Sequence, residues 1–379
     1  MAYPADAAPT NTMTYVLPQL LAQGLLSLRE MAIMPRFVNR AYEAMAGEKG
    51  STIDVPIASA ITASAVTPNF ISPNTAAVAP TKVSIALDKW YEAPFFLTDK
   101  EMLEVMSGTI PLQAQEAVKA LANQVDADIF ALYKDIYGYA GTAGTTPFAT
   151  DLTEFLDARK ALNNQLAPLD PRYVALNPDA EANALGLRAF QDASFRGDAA
   201  GITEGIIGRK LGSTWFVDQL IPTHAVGTMS VPGTSAVTIG TKAVTVSTAT
   251  GSYVVGDIVT LGVNDTQTYV VTGVTGTAPT TAFTIEPAAK VGQTTGAILR
   301  KDAHVVNLAF HRDAFALATR PFAGADPMGL GQFSSAVDLI SGLTLRLEVS
   351  REFKRTRFSY DILYGVKAVR RELAARIAG

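Results

Sequence analysis

Residues 55–81 read VPIASAITASAVTPNFISPNTAAVAPT and contain no charged side chain. The residues on either side, 51–57 and 83–88, alternate between apolar and polar side chains as β-strands do. Pro68 and Pro73 argue against a helix in the segment that joins these two strands. The pattern therefore predicts a long β-hairpin with an uncharged tip. Such a tip suits a surface that lies on another chain, and the alternative is an ordinary hairpin packed on its own domain.

A helical pattern follows this hairpin. Thr98 to Glu101 have the composition of a helix N-cap with acidic residues in the first turn. Beyond Pro111 one apolar stripe recurs at helical spacing and predicts a helix of about 40 Å that ends near Gly138 and Gly141. The stripe consists of Ala114, Val118, Leu121, Val125, Ile129, Leu132 and Ile136.

The chain before the hairpin divides into two parts. Residues 1–13 are small and polar with two prolines, which is typical of a flexible arm. From Thr14, apolar residues recur at helical spacing and predict a helix that stops before Pro35. No basic and apolar leader is present at the start of the given sequence, so we expect no signal peptide.

The segment after the long helix alternates between helical and strand patterns, which indicates a mixed α/β domain. Helices are predicted at 151–166, 179–190 and about 311–319, and strands at 172–177, 213–217 and 303–310. The glycine-rich stretch 197–212 predicts a loop with a short helix, in which Gly205–Lys210 is a turn with a basic flank.

Residues 226–299 have a different composition, rich in Thr, Val and Gly. They hold only five charged residues, namely Lys242, Asp257, Asp265, Glu286 and Lys290. Strand-like runs lie near 235–239, 242–247, 257–262, 267–275 and 281–286, with turns predicted at Gly251, Gly256, Asn264-Asp265, Gly273 and Gly276. Short, evenly spaced strands predict a small all-β barrel or sandwich inserted into the α/β region.

The C-terminal residues alternate strongly. Leu343, Leu345, Leu347 and Val349 alternate with polar residues, and Phe358, Tyr360 and Ile362 do the same. A charged linker, 351–357, joins the two runs, so we expect an antiparallel pair whose second strand or turn extends to Arg371.

Composition limits the class of function. Charged residues make up 17% of the 379 residues, against roughly 25% in typical globular proteins, and the net charge is −4. The low charge favours burial against other chains, and an Ala/Thr-rich secreted or solvent-tolerant domain is the alternative. The one basic run, Lys367 to Arg371, is too short for tight phosphate binding. Without cysteine there is no disulfide or thiolate chemistry, and no apolar run is long enough to span a membrane.

No pattern of catalytic, cofactor-binding or metal-ligating residues is present, so we predict that the chain is not an enzyme and holds no cofactor. His224, His304 and His311 lack metal-site spacing, and His304 and His311 are interpreted as surface or packing residues. The carboxylate pairs Asp126 with Asp128 and Glu101 with Glu104 are typical of solvated helix faces. Asp257 and Asn264-Asp265 do not alternate as calcium ligands do.

The order of these elements resembles the Hong Kong 97-like (HK97-like) capsid fold of tailed bacteriophages, an α+β fold. Three stretches carry the resemblance. Val83–Glu101, VSIALDKWYEAPFFLTDKE, is similar to the returning strand of the extended loop. Gln219–Gly227, QLIPTHAVG, is similar to the entry to the inserted domain of short-tailed-phage coat proteins. Arg357–Arg370, RFSYDILYGVKAVR, is similar to the strand and closing turn of the peripheral domain.

The resemblance implies five regions. They are an N-terminal arm and helix (1–50), an extended loop (51–98), a peripheral domain with a spine helix (99–148 and 343–379), an axial domain (149–222 and 303–342) and an inserted β-domain (223–302).

It also implies a function: a major capsid protein whose copies form the pentamers and hexamers of an icosahedral shell around double-stranded DNA, without sequence-specific binding. Implied partners are a scaffolding protein, a portal and decoration proteins, with assembly in the host cytoplasm and residence in the virion. An encapsulin-like nanocompartment shell is the first alternative, and a β-rich phage tail or adhesin component is the second.

Overall fold

The computed structural model describes residues 21, 32–42, 52–58, 61, 63, 65, 66, 68, 80–100, 109–191, 205–229, 233–247, 250–262, 265–276, 278–320, 331–337 and 343–379. The predicted arm, most of the helix predicted from Thr14, most of the hairpin tip and residues 197–204 of the loop predicted at 197–212 lie outside these residues.

The helices are α1 (Thr109–Phe130), α2 (Thr153–Asn164), α3 (Pro178–Gly186) and α4 (Arg188–Gln191), with 3₁₀ turns at Met34–Arg36, Ala131–Asp135, Arg312–Ala314 and Arg371–Leu373. The strands are β1 (Thr52–Ile57), β2 (Thr81–Ala86), β3 (Lys89–Thr98), β4 (Gly138–Gly141), β5 (Arg172–Leu176), β6 (Gly208–Lys210), β7 (Ser213–Val217), β8 (Thr223–His224), β9 (Thr234–Val237), β10 (Ala243–Ser247), β11 (Ile258–Leu261), β12 (Tyr269–Thr275), β13 (Ala282–Glu286), β14 (Gln293–Arg300), β15 (His304–His311), β16 (Phe315–Thr319), β17 (Gly331–Val337), β18 (Thr344–Glu352), β19 (Arg355–Ala368) and β20 (Ala374–Ala378).

The chain divides into two compact units, and the first comprises residues 1–29, 40–121 and 316–366. In it β1 and β2 form an antiparallel ladder, which confirms the predicted hairpin. Strands β17, β18, β19 and β3 follow one another in a second, antiparallel sheet, and β16 also pairs with β19. The predicted pairing of the two C-terminal alternating runs is confirmed, because β18 and β19 form an antiparallel ladder, and their apolar positions are buried.

The second unit comprises residues 30–39, 122–315 and 367–379. Its mixed sheet has the order β4-β20-β15-β5-β7-β6, and β8 also pairs with β15. Helix α2 packs on β4 and β20. Its buried residues Phe155, Ala158 and Leu162 follow the i, i+3, i+7 spacing of an amphipathic helix. The Asp151 carboxylate accepts the Thr153 amide at 2.8 Å, as its predicted place at the helix start requires.

Residues 234–300 of the second unit form a closed six-stranded barrel in the order β10-β13-β12-β11-β14-β9. Its interior holds alternating apolar residues such as Val244, Leu261, Tyr269 and Phe283. The sixth strand, β14, was not predicted, because Thr294, Thr295 and Gly296 interrupt its apolar alternation. The chain enters the barrel after β8 and leaves it into β15, and these two strands pair with each other at His224 and His304.

The predicted long helix is wrong at its C-terminal end. Helix α1 stops at Phe130, and a 3₁₀ turn over Ala131–Asp135 follows, so the 22 helical residues span about 33 Å. The tighter winding places Tyr133 in the core instead of Leu132. Gly138 and Gly141 are the first and last residues of β4 and do not terminate a helix.

The helix predicted at 311–319 is also wrong. A 3₁₀ turn at Arg312–Ala314 leads into β16, and all five residues of β16 are buried. A short, continuously apolar run such as Phe-Ala-Leu-Ala fits a buried strand and a buried helix equally well, so its pattern could not separate the two.

Two predicted turns are strands in the structure. Within Gly205–Lys210, the last three residues form β6, which pairs antiparallel with β7. Gly273 lies inside β12, where the register with β13 shifts between Val271 and Gly273. Glycine marks a bulge there and not a turn. The final strand, β20, was not predicted, because the predicted strand or turn stops at Arg371; it lies between β4 and β15 in the second unit.

Candidate assembly surfaces and a buried polar joint

The β1–β2 hairpin has one face buried at its base. Ile53, Val55 and Ile85 are at most 5% exposed. Beyond the ladder, Ile61 and Val66 are 67% and 89% exposed, so the described apolar residues of the tip face solvent. The base lies directly on β19, because a Cβ added to Gly365 would be 2.1 Å from the Ala86 carbonyl oxygen. The hairpin is therefore anchored at its base and presents an uncharged tip.

The outward face of the β3–β19–β18 sheet carries paired charges. The Asp361 carboxylate accepts hydrogen bonds from Arg346 and, at 3.1 Å, from the Trp90 indole. Beside it, the Glu92 carboxylate accepts from Arg357 at 2.7 Å and from Ser359 at 3.1 Å. Each acid on this part of the face thus meets an arginine, and the surface can contact another protein without leaving a lone charge.

Exposed aromatic residues lie on the same face and in the turn that joins β18 to β19. Trp90 is 62% exposed, Phe96 is 44% exposed under the Arg355 guanidinium, and Phe353 in the β18–β19 turn is 87% exposed. Exposed aromatic and arginine side chains are enriched in the centres of protein–protein interfaces. The first unit therefore offers two candidate assembly surfaces, the hairpin tip and this aromatic face.

The second unit contains a buried polar cluster, here called the joint, where the barrel meets the sheet. The His224 Nε2 atom lies 2.9 Å from Asp257 Oδ1, and its Nδ1 atom lies 3.0 Å from the Tyr133 hydroxyl. The other Asp257 oxygen accepts from the amides of Val254 and Gly227. A neutral His224 ring satisfies both partners if Nε2 donates to the carboxylate and Nδ1 accepts from tyrosine.

Arg376 completes the joint from β20. Its side chain is fully buried and donates to the carbonyl oxygens of Gly256, at 2.9 Å, and Tyr133, at 2.7 Å. Its guanidinium also lies 4.9 Å from the centre of the Tyr133 ring. Burial lowers the Arg376 pKa to about 9, so the side chain is charged at neutral pH. It brings a positive charge into the same buried region as the Asp257 carboxylate.

His304 lies next to this network. Its ring centre is 5.6 Å from that of His224, and its Nδ1 donates to the Asp302 carbonyl oxygen at 2.8 Å. The Nε2 atom is buried and has no hydrogen-bond partner among the described residues. Burial lowers the His304 pKa to about 4, so the ring is neutral at physiological pH.

The joint holds the barrel on the sheet. Asp257, Gly256 and Val254 belong to the barrel segment, whereas His224, His304 and Arg376 lie on β8, β15 and β20. An apolar patch of Tyr137, Ile258 and Val270 packs nearby. At the surface, Arg371 pairs with Glu286 of the barrel and with Asp135. The hydrogen bonds within the joint are made between protein groups, so the joint has the features of a structural connection between the barrel and the sheet.

The structure decides the interpretation of several polar residues. Of the two alternatives for His304 and His311, surface or packing, burial supports packing, and His224 is buried as well. His311 accepts the Asp313 amide and caps a 3₁₀ turn. Asp126 is only 2% exposed and accepts the Ile33 amide, so it is not on a solvated face as predicted. Burial raises its pKa to about 8.

Other predicted candidates have local roles or fall outside the description. The Asp265 carboxylate accepts from the Gln267 amide and the Tyr269 hydroxyl. Glu101, Glu104 and Asn264 lie outside the described residues. Within the described ranges, no group of three or more His, Cys, Asp or Glu side chains is arranged to hold a metal ion, and no helix there is both long and apolar enough to cross a bilayer.

Sequence reasoning missed that His224, Asp257, His304 and Arg376 meet. They are separated by up to 152 positions, and no local spacing connects them. One signal was present: Asp257 is one of only five charges in the Thr-rich segment and sits between a glycine and an apolar strand. A carboxylate at the start of an apolar strand is expected to be buried, and a buried carboxylate needs hydrogen-bond donors around it.

Comparison with known proteins supports a shell function. The sequence model of the family described as phage capsid protein matches residues 81–319, well over half of the chain. Among solved structures, a chain from Mycobacterium phage Che8 is 15% identical with a TM-score of 0.53, and the match covers 91% of this chain and 90% of that one. A chain in the capsid structure of Cyanophage P-SCSP1u is 14% identical with a TM-score of 0.50, covering 87% and 83%.

At these identities the solved structures establish likeness of fold. No curated protein is significantly similar to the chain in sequence. The family match extends from β2 to β16, and so includes the aromatic strand β3, helix α1, the whole barrel and the strands of the second unit's sheet other than β20. The chain belongs to the phage capsid protein family, and it is a major capsid protein that assembles with its own copies into the shell.

Proposed function

We propose that the chain builds an icosahedral, HK97-like shell in which the β1–β2 hairpin is the extended loop that lies on a neighbouring subunit. The observation that carries this proposal is the hairpin itself. Within the described part of the chain it is a sheet of two strands, and its described tip residues Ile61 and Val66 are exposed. A two-stranded hairpin is marginal alone in water, and a neighbouring subunit would cover those side chains.

The proposed domains follow the sequence-based scheme with one change. Residues 1–50 are the arm, 51–98 the extended loop, 99–148 with 343–366 the peripheral domain, 149–222 with 303–342 the axial domain, and 223–302 an inserted barrel. Residues 367–379 are moved to the axial domain, because β20 pairs with β15 along five residues. The joint then fixes the inserted barrel to the axial sheet.

The proposed partners are other copies of this chain in pentamers and hexamers, together with a scaffolding protein, a portal and decoration proteins. Assembly takes place in the host cytoplasm, the mature protein resides in the virion, and the subunit catalyses no reaction. The shell encloses double-stranded DNA without sequence-specific binding, in keeping with the net charge of −4. An encapsulin-like compartment is the less supported alternative, since the matching family model is that of phage capsid proteins.

The test is expression of the full chain, with and without a candidate scaffold, followed by electron microscopy. We expect capsomers or closed shells. A variant in which residues 59–79 are replaced by Asn-Gly should keep the subunit fold, measured by circular dichroism, and fail to form shells. A persistent monomer in every condition would contradict the shell proposal. Normal shells from the shortened variant would contradict the role of the hairpin, and shells filled with a host enzyme would favour the compartment.

A further inference from the structure

Strand β4 lies at the end of the second unit's sheet. It pairs in parallel with β20 on one side, and no described residue pairs with its other edge. A cleft of about 560 Å³ lies beside this strand, between α2 and the barrel. It is called here the β4 cleft, and its lining includes all of β4 together with Asp157, Lys160, Gln165, Lys290 and Lys301.

The β4 cleft is positively charged. Three lysines and one aspartate line it, which gives a formal charge of +2 in a chain whose net charge is −4. None of these lysines forms an ion pair with a residue in the described ranges. Lys290 donates to the Gln267 amide oxygen at 2.8 Å, and Lys301 lies 5.6 Å from the centre of the Tyr139 ring. The three lysines outnumber the one aspartate, and the excess of like charges is repulsive, so an anionic group in the cleft is favoured.

The sheet edge defines the kind of anion. An outer strand presents amide and carbonyl groups that an extended peptide can pair with, as in β-strand addition. The four residues of β4 offer about 13 Å of strand. Duplex DNA supplies phosphates but has no backbone that continues a β-ladder, and the cleft has the size of a site for a small ligand or short peptide.

We propose that the β4 cleft binds an extended acidic segment of a partner polypeptide, which pairs with β4 as an added strand and places carboxylates beside Lys160, Lys290 and Lys301. This surface is distinct from the hairpin and aromatic face of the first unit. It adds a binding site to the second unit that shell formation through the hairpin does not require.

The test uses the full-length chain and a fluorescent, end-capped heptapeptide of alternating Glu and Val, with binding measured by anisotropy at about 50 mM and 300 mM salt. We expect saturable binding that weakens at least threefold at the higher salt, because the contacts are ionic and solvent-exposed. The same peptide with Gln for Glu should bind at least tenfold more weakly. So should a version N-methylated at alternate residues, since it cannot pair with a strand edge.

Lysine variants locate the site. Lys160→Gln, Lys290→Gln and Lys301→Gln combined should weaken peptide binding at least tenfold. The matched control is Lys242→Gln, a barrel lysine that pairs with Glu286 and does not line the cleft, and it should leave binding within twofold. Circular dichroism should show the same folded state for both.

Several results would overturn the proposal. They are absence of saturable binding at millimolar peptide, equal binding of the Gln or N-methylated peptide, and equal binding by the triple variant. Preferential, lysine-dependent binding of a 20-base-pair DNA would also overturn it and assign the cleft to nucleic acid. Shell formation by the triple variant is scored separately by electron microscopy, so failure of this proposal and failure of the shell proposal can be told apart.

Discussion

Replacement of Asp257 by alanine should destabilise the second unit strongly. The carboxylate is fully buried and accepts three hydrogen bonds, from His224 Nε2 and from the amides of Val254 and Gly227. Each buried donor left without an acceptor costs about 1–3 kcal/mol. The buried Arg376 also loses its compensating charge, and broken buried pairs cost about 3–5 kcal/mol in total. We therefore expect Asp257→Ala to lower the free energy of unfolding by about 3–5 kcal/mol.

The assay is urea unfolding followed by Trp215 fluorescence in a Trp90→Phe background, since these are the only two tryptophans. Trp215 is 4% exposed in the second unit and packs against Phe148, Phe155 and Phe190. With a slope of about 3 kcal/mol per molar urea, the midpoint should fall by about 1 M or more. The control is Asp157→Ala, an exposed helix residue, which should change the free energy by less than about 0.5 kcal/mol.

A double-mutant cycle links the effect to the joint. If Asp257 and His224 act together, Asp257→Ala and His224→Ala should be non-additive by at least about 1 kcal/mol. A loss below about 1 kcal/mol for Asp257→Ala, or additive effects of the two changes, would refute the reasoning that the joint holds the barrel on the sheet.

Three further predictions concern titration and assembly. The pKa of His304 is about 4 in the folded chain against 6.5 for a free side chain, so the unfolded state binds more protons between these values. Stability should therefore fall, by up to roughly 3 kcal/mol, as pH drops from 6.5 to 4, and His304→Gln should remove that part of the pH dependence measured by urea unfolding. The pKa of Asp126 is raised to about 8, so its effect on stability has the opposite pH dependence: the stabilisation from the protonated carboxyl is lost as pH rises from about 4 to 8. The stability of Asp126→Asn relative to wild type should therefore increase over that range and level off above it. Phe353→Ser should change subunit stability by less than about 0.5 kcal/mol, because the ring is 87% exposed, and should reduce shell yield on electron microscopy; full yield would remove the turn from the interface.

Patterns that involve neighbouring residues were predictable from the sequence. The alternation at Leu343–Val349 and Phe358–Ile362 identified β18 and β19, because one face of that sheet is buried and the other is polar. The 226–299 segment, which has few charges, was recognised as all-β for the same reason, since short alternating strands between glycine turns have few other arrangements.

Features that depend on distant residues were not predictable. The long helix ends at Phe130, and residues 138–141, which were predicted to terminate it, pair instead with β20, which lies more than 230 positions away. The fully buried β16 lacks the alternation that identifies a strand. Likewise, the joint joins Tyr133 to Arg376 through a carbonyl oxygen and a ring face, and neither contact leaves a local pattern.

The distribution of charge in the barrel explains how a segment with so few charges can be both anchored and available for assembly. Asp257 and Asp265 are buried and satisfied by protein donors, and Lys242 pairs with Glu286. Lys290 is the remaining charge, and it lines the β4 cleft. The other exposed residues of this segment are uncharged, so contact with a neighbour there removes no ion from water. The charges are therefore concentrated where they orient the barrel or attract a partner, and the rest of its surface can pack against other protein at low desolvation cost.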